Sequence, residues 1–491
     1  MRKLIAIISA CAGLVLALPA AAEDVQPPPA AATCAACHGA RGAGGGGGTF
    51  PRLAGQPAAY LARQLHDFKS GARDNRIMQP LAAGLSDEQI AALAQYYSQV
   101  DAPYPDRASV EPAVLRHGEV LVRQGKWSAG VPACANCHGP KLTGLAPDFP
   151  ALAGQYATYI AAELNEWRHG QRANDPLGLM QHVAHGLDDD DVKAVAAYLA
   201  WLRPGADNAV PAAAVKKEEA ASPPAAAPSG RFEPPPESAI PAGPDGDMIR
   251  FGQQVFTDTT RYAKAYTGNA LACVNCHLDR GRLPDSAPMW AAFGQYPRYR
   301  KKNDKVNTLT DRIQGCFLFS MNGKPPPADS KAMVALESYF HWLATGAPVN
   351  VTLPGAGYPE LAEPARSPDP ERGAKIFQTH CALCHGEDGQ GRRSAGVTVF
   401  PPLWGPESFN WGAGMHRIPT AAAFIKANMP LGLGGSLTNQ QAWDVAAFID
   451  HHPRPQDPRF TGSVSETKAK YHNHMGYYGE VGSSKSKENK R

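Results

Sequence analysis

At 491 residues and a formal net charge of +3, the chain is too long for one domain, and three or four modules of about 100 residues are expected. Outside one short stretch, basic residues are not interleaved with aromatic ones, which speaks against a nucleic-acid partner. Beyond the amino-terminal stretch, no run is apolar and long enough to span a bilayer.

The chain opens "MRKLIAIISACAGLVLALPAAAED". A basic start (Arg2, Lys3), an apolar run from Leu4 to Leu18 and small residues at Ala20–Ala22 predict a signal peptide over 1–22, cut before Glu23, and export to the periplasm. The run is shorter than the roughly 20 residues a membrane anchor needs. "ISAC", ending at Cys11, also resembles a lipid-attachment box, a second way of leaving the cytoplasm.

Two repeats follow, over 23–103 and 104–203. Cys34 and Cys134 lie 100 residues apart, and "LAGQ" recurs at 53–56 and 152–155, followed by Tyr60 and Tyr159. Each repeat closes on an amphipathic helix, "SDEQIAALAQYYSQV" (86–100) and "DDDDVKAVAAYLAWL" (188–202). Ser86 with Gln89 reads as a capping box, and the aspartate run suits a helix amino terminus without a metal. The first repeat has so few residues ahead of Cys34 that its opening helix must be vestigial. Residues 204–246, rich in Pro and Ala and without apolar periodicity, read as an extended, semi-rigid linker. Two more modules are expected over 247–350 and 351–453, the third opening with a helix over 247–256 and closing with 329–346, the fourth opening with 370–386 and closing with 437–453. The tail, 454–491, shows no clear core, and its end, "GSSKSKENKR", has a disordered composition.

Eight of the ten cysteines form four copies of C-x-x-C-H: Cys34, Cys37, His38; Cys134, Cys137, His138; Cys273, Cys276, His277; Cys381, Cys384, His385. Two thiols at this spacing can form thioethers with the vinyl groups of one haem, and the adjacent histidine reaches its iron. A zinc site would need a second ligand pair at a fixed offset, and a thioredoxin-like site would not repeat the histidine. The predicted fold is therefore all-α, four cytochrome c-type modules in two dihaem halves, with four covalently bound haem c.

Each haem also needs a distal ligand. Met78, Met180 and Met429 lie 40, 42 and 44 residues after their histidines, each just before a loop-to-helix transition, and are the candidates. Core filling is the commoner use of methionine. The third module differs: Cys316 lies 39 residues after His277 and Met321 lies 44 after it, and offset favours neither outright. A lone thiol in an oxidising compartment is a liability, which coordination to iron would remove. The other reading is a buried small hydrophobe. A thiolate would lower the potential of its haem, and Met/His ligation would raise the others.

Residues 298–324 carry seven basic and two acidic side chains, while 23–204 carry 15 basic and 18 acidic. A local field of this sign suits an anionic substrate; a solvated face is the bland alternative.

The stretch "YPRYRKKNDKVNTLTDRIQGCFLFSMNGK" with "CVNCHL" before it resembles the thiosulfate dehydrogenase family, dihaem periplasmic enzymes that join two thiosulfates into tetrathionate. The resemblance covers roughly 247–475. It implies that Cys316 is the distal ligand of a catalytic haem, that Arg312, Ser320, Arg300 and Lys302 line the substrate pocket, and that Met429 serves the second haem. Where some members carry a ligating lysine before that methionine, this chain has Asn428. Residues 23–204 look like a dihaem electron carrier, so the whole resembles a fusion of carrier and dehydrogenase, passing electrons to a periplasmic or membrane-bound acceptor. Two other readings stand beside it: a non-catalytic electron conduit, and the same site working as a tetrathionate reductase.

Overall fold

The computed structural model describes residues 25–206, 208–210, 231–300 and 304–481. The expected signal peptide with Cys11, the middle of the linker, Lys302 and the end 482–491 lie outside the described residues. The first module holds α1 (Ala31–His38), α2 (Ala58–Ser70), α3 (Met78–Ala83) and α4 (Asp87–Gln99). The second holds α5 (Pro112–Arg123), α6 (Ala135–His138), α7 (Ala157–Arg168), α8 (Leu179–His185) and α9 (Asp189–Trp201). In the third, α10 (Pro244–Thr257) is followed by the short α11 (Thr259–Tyr262), α12 (Leu278–Gly281) and α13 (Met289–Phe293), then α14 (Leu309–Gly315) and α15 (Lys331–Leu343). The fourth has α16 (Pro370–His380), α17 (Ala382–His385), α18 (Ile418–Asn428) and α19 (Asn439–Asp450), with α20 (Val464–Tyr471) beyond it. Among the described residues, strand is confined to two antiparallel hairpins, β1 (Arg298–Arg300) with β2 (Lys305–Asn307) and β3 (Arg392–Ser394) with β4 (Val397–Phe400). The all-α reading holds, with these two hairpins added.

Opening and closing helices cross at a glycine in three modules. A β-carbon on Gly118 would lie 2.1 Å from the Ala194 carbonyl oxygen, on Gly252 2.0 Å from that of Ala335, and on Gly373 2.0 Å from that of Asp444. Only a residue without Cβ lets the backbones approach so closely. Gly252→Ala is therefore expected to cost about 1–3 kcal/mol through overpacking, seen as an earlier thermal transition with haem content unchanged. Among the described residues no helix precedes α1, and Ala31, 3% exposed, packs in the cluster of Leu93, Ala94 and Tyr97.

The closing helices begin where the sequence places them. Ser86 and Gln89 form the capping box of α4, and Asp188 with Asp191 forms that of α9. Asp191 also takes Lys126 at 2.6 Å, so the aspartate run is consumed by capping and an ion pair.

The repeated LAGQ explains the first pairing of modules. Gln56 Nε2 donates to the Ala151 carbonyl at 2.9 Å and its Oε1 accepts from Ala151 N at 3.0 Å. Gln155 makes the same two bonds to the backbone of Arg52, both at 2.9 Å. Each module lends the other one glutamine across a pseudo-two-fold axis.

Two stretches are more ordered than their composition suggests. Residues 231–246, expected as linker, lie on the third module: Arg282 Nη2 donates to the carbonyls of Pro234 at 3.0 Å and Pro235 at 2.7 Å, and Phe232 packs on Trp290. Glu237 takes Arg280 at 2.5 Å and Gln124 of the second module at 3.0 Å. The tail also has a core, because fully buried Arg454 stacks over Phe409 with its guanidinium 4.3 Å from the ring centroid. The β3–β4 hairpin reaches the second module, where Arg392 Nη1 donates to the Ala146 carbonyl at 2.7 Å.

Candidate active site

The four histidines of the C-x-x-C-H sites share one arrangement. Nδ1 donates to a carbonyl in each: His38 to Pro51 at 2.9 Å, His138 to Pro150 at 2.8 Å, His277 to Ala287 at 2.7 Å and His385 to Pro401 at 2.9 Å. A carbonyl only accepts, so Nδ1 carries the proton and Nε2 keeps its lone pair for a metal. Burial pushes His138 and His277 down to about 4, which keeps both rings neutral and able to ligate. A phenylalanine precedes three of these carbonyl-bearing prolines, and Phe50 and Phe149 stand edge-on to His38 and His138 with ring centroids 6.2 and 6.0 Å apart. The repeated Phe-Pro pair was the signal for this in the sequence.

One cavity of about 640 Å³ runs through the first two modules, lined by Cys34, Cys37, His38 and Met78 and by Cys134, His138 and Met180. Met78 opens α3 and Met180 lies in the first turn of α8, so both methionines share the cavity with their histidines. Its wall also contains Gln64, Arg73, Glu163 and Arg172. Arg73 Nη2 reaches Glu163 at 2.7 Å, Arg172 bonds the other oxygen, and both arginines bond Gln64. Burial alone would raise the Glu163 carboxyl, but Arg73 and Arg172 outweigh it and hold the group below the ordinary range. Two guanidiniums with one carboxylate leave a buried positive surplus. Haem brings propionate carboxylates, so the residues present fit that group.

The third module carries the pair that matters most. Thr308 and Asp311 form the capping box of α14, whose last turn widens into a π-turn over Cys316–Ser320. Met321 N donates to the Cys316 carbonyl at 2.9 Å, an i to i+5 bond of the kind found at functional sites. Arg312, one turn before Cys316, places Nη1 2.9 Å from its Sγ. Arg312 is exposed, and the Cys316 sulfur raises its pKa. Arg312 also acts on His277 and, with Cys316, on Tyr358, so these groups lie within electrostatic reach of one another. Met321, the alternative ligand, is 4% exposed inside the core with Phe317.

The other expected residues divide. Arg300 Nη1 donates to Tyr296 Oη at 2.9 Å, and Tyr296 lies within the field of Arg312. Ser320 closes the π-turn, its carbonyl held by Asn269 Nδ2 at 2.8 Å. Lys302 lies outside the described residues. Much of the basic stretch faces elsewhere: Arg298 bonds Gln295 at 2.7 Å and Lys305 bonds Asp311 at 3.3 Å. Sequence reasoning missed Tyr296 and Tyr358. Tyr358 comes from the next module and donates to the Cys276 carbonyl at 3.1 Å.

In the fourth module Met429 caps α18 and packs against the same core as Cys381. Asn428 is 5% exposed and bonds the carbonyls of Phe424 at 3.1 Å and Asp285 at 3.2 Å, so it ties two modules together. Phe149 and Phe400 meet at 5.5 Å between ring centroids, in a cluster that includes Cys137 and Cys384. The second and fourth attachment sites thus share an apolar junction.

Comparison with known proteins agrees with this layout. Residues 259–349 match the SoxA/TsdA cytochrome c domain, and residues 30–101, 122–203 and 370–453 each match the cytochrome c domain. The chain is 57% identical over 242 residues to the thiosulfate dehydrogenase of Thiomonas intermedia, covering 49% of this chain and 77% of that one. It is 46% identical over 202 residues to the thiosulfate dehydrogenase electron acceptor of Stutzerimonas stutzeri, covering 39% of this chain and 93% of that one. The solved thiosulfate dehydrogenase (TsdBA) of Marichromatium purpuratum superposes with a TM-score of 0.83 at 43% identity, over 92% of this chain and 96% of that one. Cytochrome c domains hold haem c covalently, and with carrier and dehydrogenase relatives matched in one chain, this protein belongs to the thiosulfate dehydrogenase family in its fused TsdBA form.

Proposed function

We propose that the chain is a periplasmic thiosulfate dehydrogenase that joins two thiosulfates into tetrathionate and delivers the electrons, through its own carrier half, to a periplasmic or membrane-bound acceptor. The observation that carries this reading is Arg312 Nη1 at 2.9 Å from Cys316 Sγ, within electrostatic reach of His277. Four haem c groups are assigned, one to each C-x-x-C-H site, with His38 and Met78, His138 and Met180, His277 and Cys316, and His385 and Met429 as protein ligands. Held by His277 and Cys316, haem would supply a one-electron acceptor beside the reacting sulfur.

The residues then divide the work. Arg312, with Arg300 held by Tyr296, attracts the thiosulfate dianion and offers the Cys316 sulfur a charge-assisted hydrogen bond. The Cys316 thiolate joins the outer sulfur of one thiosulfate, giving Cys–S–S–SO₃⁻, and the two electrons released would pass one at a time by way of the haems to the terminal acceptor. A second thiosulfate attacks that same outer sulfur, the Cys316 thiolate leaves, and tetrathionate departs. No proton is gained or lost, so a general base is not required. Phe149 and Phe400 exclude water from the junction between the two halves.

A steady-state assay with thiosulfate and an artificial one-electron acceptor tests this. Tetrathionate is expected, one for every two electrons passed. Acceptor reduction without tetrathionate, or none at all in a fully haem-loaded protein, would contradict it.

A further inference from the structure

Three histidines that take no part in the chemistry above meet where the tail returns to the fourth module. His416 closes the 3₁₀ turn Gly414–His416 just before α18, and His472 caps α20, with His474 two residues later. His416 and His472 are buried and His474 is half-buried. His416 Nε2 lies 3.1 Å from His472 Nδ1 and 3.2 Å from His474 Nε2, and one ring nitrogen from each lies within 4.8 Å of the other two.

The outer nitrogens fix the tautomers. His416 Nδ1 faces the Ala413 carbonyl, and His474 Nδ1 faces the Met475 carbonyl at 3.2 Å. His472 Nε2 faces Asp457 Oδ2 at 3.0 Å. Arg459 donates to both oxygens of Asp457, Nε to Oδ1 at 3.0 Å and Nη2 to Oδ2 at 2.6 Å, so this ion-paired carboxylate only accepts from His472. All three outer nitrogens therefore carry the proton. In the neutral rings, the inner nitrogens of His472 and His474 both turn their lone pairs toward that of His416 Nε2, at 3.1 and 3.2 Å. Lone pairs so placed repel unless a cation lies among them. Metal–nitrogen bonds of about 2.0–2.1 Å in a tetrahedral site put ligand nitrogens about 3.3 Å apart, close to the 3.1 and 3.2 Å separations from His416 Nε2. A histidine that donates its far nitrogen to a carboxylate or carbonyl is the usual outer arrangement of such a site.

We propose that His416, His472 and His474 bind one divalent zinc-type cation, separate from the haem irons, with Asp457 as the outer partner of His472. Three imidazoles suit zinc and leave a fourth position for water. The site joins the segment after α20 to the start of α18, the helix that ends at Met429. The bound ion would then hold residues 472–481 against the fourth module.

The test uses the full haem-loaded chain. Protein treated with a chelator is incubated with Zn²⁺, freed of excess by gel filtration, and measured for zinc and iron by mass spectrometry. One zinc per chain is expected, in addition to the haem iron. In His474→Ala, zinc should fall at least five-fold with iron unchanged; half-exposed His474 can be removed without opening the core. A second variant, His474→Cys, keeps a zinc ligand and should retain the ion. Chelation should speed proteolysis within 460–481, and Zn²⁺ should restore protection. Wild-type protein without zinc after this treatment would overturn the proposal, as would equal zinc in wild type and His474→Ala.

Discussion

Cys316→Gly is expected to retain every haem and to lose thiosulfate turnover by about 10³-fold or more, the scale on which removal of a covalent nucleophile is felt. Haem attachment depends on the C-x-x-C-H pairs, none of which includes Cys316, so the haem content and the spectra of the other three sites should not change. Cys316→Met separates ligation from chemistry. A neutral thioether in place of an anionic sulfur should raise the potential of the third haem and give a stable six-coordinate spectrum. It should still be nearly inactive, because a thioether cannot form and release the S–S bond. Haem quantification, a redox titration and the steady-state assay check the three statements. Wild-type rates in Cys316→Gly would end the covalent mechanism, and an unchanged thiolate signature in its spectrum would end the ligand assignment.

Arg312→Gln is expected to lower kcat/KM by about 10²–10³-fold, the cost of losing one preorganised charge at a reacting anion. The variant keeps a hydrogen-bond donor but not the positive charge, so both thiosulfate capture and the anionic sulfur lose their partner. Arg312→Lys should recover part of the loss, since an ammonium restores charge without the planar fork. In the wild type, apparent affinity should fall as salt rises, because attraction beyond a Debye length of about 8 Å is screened at physiological ionic strength. The salt slope should be shallower in Arg312→Gln and close to wild type in Arg298→Gln, whose guanidinium is turned to Gln295. Equal slopes in all three would assign the basic stretch to a solvated face.

How much of this the sequence shows follows from the range over which each feature is encoded. The haem sites are local, five residues each, and are read directly. Arg312 and Cys316 sit one helical turn apart, so their contact also follows from spacing. The helix crossings at Gly118, Gly252 and Gly373 rest on contacts with residues more than 70 positions away, and no local pattern marks them. Tyr358 comes within reach of Cys316 from another module, and its role emerges only with the fold. Net charge misleads in a similar way: the excess over 298–324 looks like one basic patch, yet among the described residues Lys305 bonds Asp311 and Arg298 bonds Gln295, while Arg312 meets Cys316. Composition misjudged the tail because what orders it is a buried arginine and a polar cluster, not an apolar stripe.

The most direct test of the central claim is the mass of the peptide that contains Cys316. The second step, run backward, has tetrathionate react with the Cys316 thiolate. Enzyme exposed to tetrathionate, then digested without reductant, should carry one S–SO₃ unit on Cys316, removable by excess thiosulfate and absent from Cys316→Gly. An unmodified Cys316 under conditions in which the enzyme turns over, or the same adduct yield in Arg312→Gln and wild type, would contradict the account.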